Sequence, residues 1–258
     1  MNKLKKALIN NTLSIGTWMQ IGHPACAEIL AGSGFDWICV DLEHGVIDLE
    51  SMANIFRAIE RFDCVPIARL PINDPIWIHR TLDAGAQGLI VPMIKNKEQA
   101  LQAIRESKYP PIGNRGFGYS RANEYGGNFT EYVRQANDDI AMILQIEHID
   151  AINNIDDILE LDGLDGTFIG PLDLAGSMGT ADNLESQSFK DALKTYLNAS
   201  KKHKKTTGMH VVRPDADNIK KSIADGYKLI ALGLDTVFLE EKSREMLSVA
   251  SITGTNKS

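Results

Sequence analysis

Cysteine is scarce in this chain, and strongly basic or long apolar segments are missing. The 258 residues include three cysteines, too few and too widely spaced for a disulfide framework or a Cys-x-x-Cys zinc site. No stretch reaches the ~20 apolar residues of a membrane-spanning helix, and the N-terminus has no secretory pattern. The net charge of -7 is spread along the chain, unlike a nucleic-acid footprint. We therefore expect a cytoplasmic protein that binds neither membranes nor nucleic acid.

What is present is the composition of a folded domain, with 43% hydrophobic and 24% charged residues. Short β-branched runs alternate with segments of helical period, which predicts eight strands and eight helices. The predicted strands are 14–19, 35–41, 64–69, 87–92, 140–147, 165–170, 206–212 and 228–233. The predicted helices are 24–33, 48–62, 74–84, 96–106, 148–161, 188–203, 214–225 and 236–249.

Strands that alternate with helices predict parallel pairing through right-handed crossovers. Eight such units in one domain, residues 1–258, match the α/β class and a closed (β/α)₈ TIM barrel. An open doubly wound sheet is the alternative, but no Gly-x-Gly-x-x-Gly follows the first strand. The long irregular loop 108–128 is expected to be functional and to lie over or beside the active-site mouth, or to contact a neighbouring subunit.

Polar residues follow most of the predicted strands, at the end where the active sites of such barrels lie. Burying many ionisable groups without partners is costly, so we expect them to form one site. The strand-end residues are Trp18, Gln20, Asp41, Glu43, His44, Arg69, Gln145, Glu147, Gly170, Asp173, His210, Arg213 and Asp235.

Two acids at neighbouring strand ends, Glu147 and Asp173, have the pattern of a metal site. Paired carboxylates bind hard divalent cations such as Mg²⁺ or Mn²⁺, which keep further positions for water and substrate. The competing interpretation pairs Glu147 with an arginine and makes Asp173 the cap of a helix that begins near Leu174. The joint position of the two acids favours the metal site.

Arg69 and His44 supply two further groups that such a site needs. An arginine at a strand end can hold a carboxylate at two points or stabilise an enolate oxygen, although pairing with Glu43 or Glu147 fits the spacing equally well. A histidine that titrates near neutrality is a natural proton carrier, although one in a loop is often plain surface.

Several short motifs occur in a specific order between about Gly16 and Asp235. In that order and spacing the chain resembles the HpcH/HpaI family of class II pyruvate aldolases, which includes 2,4-dihydroxyhept-2-ene-1,7-dioate and 2-keto-3-deoxy-sugar-acid aldolases. The motifs are 16–18 (GTW), 34–37 (GFDW), 41–44 (DLEH), 68–75 (ARLPINDP), 91–93 (VPM), 108–116 (KYPPIGNRG), 145–147 (QIE) and 168–174 (FIGPLDL).

The resemblance implies a (β/α)₈ barrel that assembles as a homo-oligomer, a trimer or a hexamer. It implies that Glu147 and Asp173 bind a divalent cation, Mg²⁺, Mn²⁺ or Co²⁺. Trp18 would bind the substrate, and Gln145 would contact the substrate or assist the water shell of the metal. The reaction implied is reversible cleavage of a 4-hydroxy-2-oxo acid to pyruvate and an aldehyde.

By the same resemblance, backbone N–H groups around Gly170 and Leu172 receive the pyruvate carboxylate, and Arg69 stabilises the enolate. His44, oriented by Asp83 or a nearby acid, transfers protons. The backbone N–H groups and Arg69 would thus bind the negative charges of the substrate and the enolate, and His44 would move the protons.

The remaining expectations concern support and specificity. Asp41 and Glu43 are expected to support the metal-bound water and the histidine ring. Leu42 and Leu172 stand where relatives carry smaller residues, so both are expected to reshape the mouth. Arg121, in the long loop, is a candidate contact for an acidic or polyol aldehyde, or an oligomer contact with no substrate role.

Two other functions stay open on the same scaffold. One is a carbon–carbon bond-forming synthase that uses an oxaloacetate or acyl-CoA enolate, and the other is a non-catalytic barrel that binds a 2-oxo acid. A Schiff-base aldolase would need a lysine of lowered pKa at a strand end, for which Lys95 is the best candidate.

Overall fold

The chain folds into a closed barrel of eight parallel strands in sequential order, which confirms the predicted fold and excludes the open sheet. The computed structural model describes residues 1–181 and 183–252. Within these residues, no helix combines the length and the apolar character that a membrane crossing requires. The strands are β1 (Ser14–Met19), β2 (Trp37–Asp41), β3 (Val65–Arg69), β4 (Gly88–Val91), β5 (Ala141–Ile146), β6 (Gly166–Ile169), β7 (Thr206–Val211) and β8 (Leu229–Leu234).

Helices join the strands, and several begin at an aspartate whose side chain accepts hydrogen bonds from the first turn, as Asp74 and Asp215 do. Predicted helix 148–161 is divided into two short helices, and α1, α6 and α9 are absent from the predicted set. The helices are α1 (Lys3–Asn10), α2 (Pro24–Gly32), α3 (Leu49–Ile59), α4 (Pro75–Asp83), α5 (Lys97–Ser107), α6 (Phe129–Asp139), α7 (Ile149–Asn153), α8 (Ile155–Leu159), α9 (Pro171–Ser177), α10 (Gln187–His203), α11 (Ala216–Asp225) and α12 (Asp235–Ile252), with a 3-10 helix at Arg121–Gly126.

Alternate residues of each strand face opposite sides, which divides the core into two layers. Trp37 and Cys39 pack inside the barrel, whereas Ile38 belongs to the layer beneath the helices. All three are buried, because parallel strands covered on both faces have no exposed side. Leu8 of α1 lies against Gly166 at the start of β6, so α1 closes the end of the barrel where the strands begin.

Loop 108–128 lies at the end of the barrel where the strands begin. It joins α5 to α6, and both precede β5. Arg121 donates from Nη1 to the carbonyl oxygen of Ala84 at 2.9 Å and forms an ion pair with Glu60. Those partners follow α4 and α3, on the side away from the C-terminal strand ends. The expectation that the loop covers the mouth of its own chain is therefore wrong, whereas a role in a neighbouring subunit stays a prediction.

A buried arginine anchors this loop. The Nη2 of Arg115 donates to Oδ1 of Asp83 at 2.8 Å, and its Nη1 donates to the hydroxyl of Tyr132 at 3.1 Å. The guanidinium also lies 4.6 Å from the ring centroid of Tyr109. Asp83 ends α4, at the base of the barrel, whereas His44 follows β2 at the opposite end. Within one chain, Asp83 therefore neutralises Arg115 and does not orient His44.

Candidate active site

The C-terminal ends of the strands form the mouth of the barrel, and most of the predicted site residues lie there. Asp41 ends β2 and Arg69 ends β3, whereas Glu147 and Gly170 directly follow β5 and β6. Trp18 is the last residue but one of β1. Because the strands are all parallel, these residues, distant in sequence, share one end of the barrel.

Asp41 is the centre of the hydrogen bonds at the mouth. Its Oδ1 accepts from Nε of Arg69 at 2.9 Å, and its Oδ2 accepts from Nη2 at 2.8 Å. Gln20 donates to Oδ2 at 2.9 Å, and the backbone N–H groups of Glu43 and His44 donate to Oδ1 at 3.2 and 3.3 Å. Burial opposes ionisation, but the hydrogen bonds and charge of Arg69 outweigh it and lower the pKa of Asp41. Asp41 is thus a carboxylate that positions Arg69 and the turn carrying His44.

Arg69 lies between two carboxylates. Its third nitrogen, Nη1, is 3.0 Å from Oε2 of Glu43, an ion pair that lacks hydrogen-bond geometry. The guanidinium also lies 4.5 Å from the ring centroid of Trp18. Burial raises the pKa of Glu43, with Arg69 opposing this shift and the charge of Glu147 adding to it. The pairing of Arg69 with Glu43, one of the alternatives from the sequence, is therefore present.

Glu147 is a buried carboxylate that accepts hydrogen bonds but forms no ion pair with a cationic side chain. Its side chain is 2% exposed, and its Oε1 accepts from the backbone N–H of Met93 at 2.7 Å. Gln145 donates from its amide to Oε2. Burial raises the pKa of Glu147, the two hydrogen bonds oppose the shift, and the charge of Asp173 adds to it. Among the described residues, no Lys, Arg or His forms an ion pair with Glu147, and Arg69 acts on it only as a nearby positive charge that favours the ionised form.

The donor set around Glu147 fits a hard divalent cation. Asp173, exposed in the first turn of α9, is close enough for its charge to act on Glu147. The Oε1 atom of Gln145 is buried and has no hydrogen-bond partner. Oxygen donors of this kind suit Mg²⁺ and Mn²⁺. Because the described residues contain no cluster of three acidic, His or Cys side chains, water and substrate would have to complete the coordination.

The start of α9 excludes one competing interpretation and corrects one expectation. The helix begins at Pro171, so Asp173 lies inside its first turn and is not its cap. The N–H of Gly170 donates to the carbonyl oxygen of Ile146 at 3.0 Å, so it is not available for a substrate carboxylate. Gly170 serves instead by its lack of a side chain, since a Cβ there would lie 2.7 Å from Oε2 of Glu147. The N–H of Leu172, in the first turn, has no helical carbonyl partner.

Three other predicted residues lie away from the mouth of their own chain. Leu42 is 7% exposed and packs in the layer beneath the helices, so it does not shape the mouth. Asp83 and Arg121 are bound at the opposite end of the barrel, as described above. Leu172, by contrast, is 65% exposed on the rim. His44 is exposed at the mouth, beyond the turn held by Asp41.

His210 and Asp235 are two strand-end residues to which sequence reasoning gave no role. The ring of His210 lies 5.5 Å from that of Trp18, centroid to centroid. The carboxylate of Asp235 accepts from the backbone N–H of Gln20 at 3.0 Å and of Ile21 at 2.8 Å. Asp235 thereby fixes the segment after β1. Their strand-end position was the available signal, but it does not show which side chains face one another.

Fold and site together define a class of protein. A (β/α)₈ barrel that gathers several carboxylates, an arginine and a histidine at its mouth has the form of an enzyme that acts on a small charged molecule. The family model described as HpcH/HpaI aldolase/citrate lyase matches residues 14–241, and the chain belongs to that family. The resemblance read from the motifs is confirmed.

Curated relatives match nearly the whole chain. A 4-hydroxy-2-oxovalerate aldolase of Rhodococcus jostii is 36% identical over 244 residues, which cover 94% of this chain and 93% of the relative. A 4-hydroxy-2-oxo-heptane-1,7-dioate aldolase of Klebsiella pneumoniae is 36% identical over 239 residues, covering 92% of this chain and 89% of that one.

Solved structures agree with the family assignment. An HpcH/HpaI aldolase/citrate lyase family protein from Burkholderia cenocepacia superposes with a TM-score of 0.92 at 31% identity, covering 97% of this chain and 100% of that chain. The citrate synthase SbnG superposes with a TM-score of 0.86 at 28% identity, covering 98% and 99%. The fold is thus shared by proteins named as aldolases and as a synthase.

Proposed function

We propose that the protein is a metal-dependent aldolase, a carbon–carbon lyase that reversibly cleaves a 4-hydroxy-2-oxo acid to pyruvate and an aldehyde. The observation that carries the proposal is Glu147, buried, without a cationic partner and within electrostatic reach of Asp173. Arg69 supplies positive charge at the same mouth. The names of the curated relatives support this reaction type.

Glu147 and Asp173 would hold the cation, with Gln145 beside them. When bound, a divalent cation supplies Lewis-acid polarisation of the 2-oxo group. Arg69 adds a second positive charge for the enolate oxygen, and its two-point contact with Asp41 keeps the guanidinium in place during the reaction. The N–H of Leu172 is available to the substrate carboxylate.

His44 would move the protons of the cleavage. It takes the proton of the C4 hydroxyl, the C3–C4 bond breaks, and its electron pair passes into the enolate while C4 becomes the aldehyde carbonyl. The proton then returns to C3, which becomes the methyl group of pyruvate. An exposed imidazole suits this task because water and the departing aldehyde can reach it.

Pyruvate release from a panel of 4-hydroxy-2-oxo acids, coupled to lactate dehydrogenase, tests the proposal. We expect EDTA to abolish release and Mn²⁺, Co²⁺ or Mg²⁺ to restore it. Glu147→Gln should abolish release in the presence of metal, whereas the exposed carboxylate variant Glu131→Gln should not. Full activity after metal removal, or trapping of a lysine adduct by borohydride, would overturn the metal-dependent mechanism.

A bond-forming synthase is the second candidate, favoured by the similarity to the citrate synthase SbnG. It would use the same enolate-stabilising groups but would condense the enolate with an acceptor. Incubation with oxaloacetate and a range of carbonyl acceptors separates the two activities. A condensation product formed faster than any retro-aldol cleavage would favour the synthase.

We also propose that the chain is a single domain that self-associates as a trimer or hexamer in the cytoplasm. The family match over residues 14–241 supports one domain, although residues 253–258 lie outside the described residues. Exposed apolar side chains on α12, namely Leu239, Met246 and Val249, favour contact with another copy. Light scattering after size exclusion measures the assembly, and a monomer at micromolar concentration would contradict this part of the proposal.

A further inference from the structure

The imidazole of His210 faces the inside of the mouth. His210 lies near the end of β7, two residues after Gly208, which packs directly against Phe168 of the inner cluster. Residues two apart on a strand point to the same side, so His210 points inward as well. Its ring accordingly contacts Trp18, whose indole also lies beneath the guanidinium of Arg69.

The hydrogen bonding of His210 fixes its protonation. Its Nε2 lies 2.8 Å from the carbonyl oxygen of Gly233, which can only accept, so Nε2 carries a hydrogen. Burial lowers the pKa of His210 to about 4, and the charge of Arg69 contributes to the shift. The ring is therefore neutral at pH 7, and Nδ1 has an unprotonated lone pair. No described residue donates to Nδ1.

A free acceptor at this place restricts what can bind next to it. The carboxylate and 2-oxo oxygens of a 2-oxo acid are acceptors themselves, so neither can pair with Nδ1. The nitrogens of Arg69 are already directed to Asp41 and Glu43. Among the groups of such a substrate, only a hydroxyl can donate.

We infer that Nδ1 of His210 accepts a hydrogen bond from a substrate hydroxyl and so selects hydroxylated reactants. This inference rests on the proposed aldolase function. Because the C4 hydroxyl is assigned to His44, the hydroxyl that His210 accepts has two possible sources, a further hydroxyl on the aldehyde or the C3 hydroxyl of a hydroxypyruvate-type nucleophile. Both place the same O–H donor beside Trp18 and His210.

Two variants separate this role from a structural one. His210→Gln keeps an N–H at the position of Nε2 for the Gly233 carbonyl but has no acceptor at the position of Nδ1. His210→Asn keeps an oxygen at the position of Nδ1 but loses the bond to Gly233. If His210 only holds the Gly233 carbonyl, Gln can take over its role and Asn cannot. If His210 accepts a substrate hydroxyl, Asn can take over that role and Gln cannot.

Matched substrate pairs supply the readout, measured as aldol addition with Mn²⁺ present. One arm compares glycolaldehyde with propanal, with pyruvate as the nucleophile. The other compares hydroxypyruvate with 2-oxobutanoate, with propanal as the acceptor. Each pair differs by a hydroxyl in place of a methyl, so the ratio of kcat/KM within a pair reports the hydroxyl. The arm that responds identifies its source.

We expect His210→Gln to lower one of these ratios about tenfold, the contribution of one hydrogen bond, and His210→Asn to preserve it. The inference is overturned if the wild-type protein is active but neither ratio falls in His210→Gln. It is also overturned if Gln preserves the ratio while Asn loses it. A wild-type protein that neither cleaves nor forms any aldol would overturn the proposed function itself. Should His210→Asn fail to fold, the ratios in His210→Gln decide alone.

Discussion

Asp41 and Arg69, paired in register at the ends of β2 and β3, meet at two points, Oδ1 to Nε at 2.9 Å and Oδ2 to Nη2 at 2.8 Å. Both side chains are largely withdrawn from solvent, with 1% and 12% exposure. A two-point contact fixes the plane of the guanidinium as well as its position. The pair therefore presents Arg69 to the mouth in one orientation.

Asp41→Asn should both destabilise the protein and slow cleavage. The buried guanidinium would lose its main partner, and we expect the free energy of unfolding at pH 7 to fall by about 3 kcal/mol. Because the folded-state pKa of Asp41 lies below the ordinary value of 3.8, this stabilisation is complete above that pH and is lost as the pH falls through the lowered pKa. Urea denaturation at several pH values measures it, with exposed Asp63→Asn as the control. An equal loss in both variants would contradict the prediction.

His44→Ala should reduce kcat far more than it changes KM. A proton-transfer residue acts in the transition state, and its loss typically costs about 10²–10⁴-fold in rate. Steady-state pyruvate release on the best substrate of the panel gives both constants. His203→Ala, on α10 and paired with Asp156, is the matched control. If KM rises as much as kcat falls, His44 binds the substrate and does not carry the proton.

Glu147 should make metal binding depend on pH. Burial raises its pKa above the ordinary value of 4.5, so this carboxylate takes up a proton at a higher pH than a solvated glutamate does. Because a cation binds the ionised form, we expect Mn²⁺ affinity to fall as the pH is lowered through the raised pKa. Calorimetric titration from neutral to acidic pH measures the change. An affinity that is constant with pH would count against Glu147 as a ligand.

Glu147→Gln gives the corresponding stability test. A raised folded-state pKa stabilises the fold below the unfolded value of 4.5 and loses that contribution as the pH rises through the folded value. At pH 7 without metal, we therefore expect the variant to be more stable than the wild type. At a hundredfold excess over Kd, Mn²⁺ should stabilise the wild type by about 2.7 kcal/mol and leave the variant unchanged. Equal metal stabilisation of both proteins in thermal denaturation would contradict the assignment.

Asp83→Asn should act on stability through Arg115. The arginine is fully buried, but Asp83 is 40% exposed, so we expect a loss of about 1 kcal/mol, less than for an enclosed pair. Urea denaturation measures the loss, and the exposed acid variant Asp191→Asn serves as control. A fall in kcat without a change in stability would instead place Asp83 in the active site of a neighbouring chain.

The strands and their polar ends could be predicted from sequence because each is a local pattern. A β-branched run between helical segments predicts a strand, and an acid or arginine at its end predicts a place at the mouth, as for Asp41, Arg69 and Glu147. Loop 108–128 could not be placed in this way. Its composition indicates a functional loop, but only the position of its anchors, Asp83 and Glu60, shows at which end of the barrel it lies.

The predictions for two single positions at the mouth were wrong for a related reason. Gly170 was expected to donate its N–H, but that group already pairs with the strand beside it, which depends on the register between β5 and β6. Leu42 lies between two residues of the mouth in sequence, yet its side chain points to the helical layer. Strand register and side-chain direction are set by packing in the folded barrel, and the neighbouring residues in the sequence do not show how that packing is arranged.

By itself, the sequence determined the barrel, the family and the identity of the charged residues at the strand ends, since periodicity and short motifs are properties of neighbouring residues. Only the tertiary structure decided which of these residues meet. It pairs Arg69 with Asp41 and Glu43, buries Glu147 without an ion-pair partner, and points the neutral ring of His210 into the mouth. Those relationships arise from closing the barrel, because closure brings residues far apart in the chain within hydrogen-bonding distance and removes water from between them.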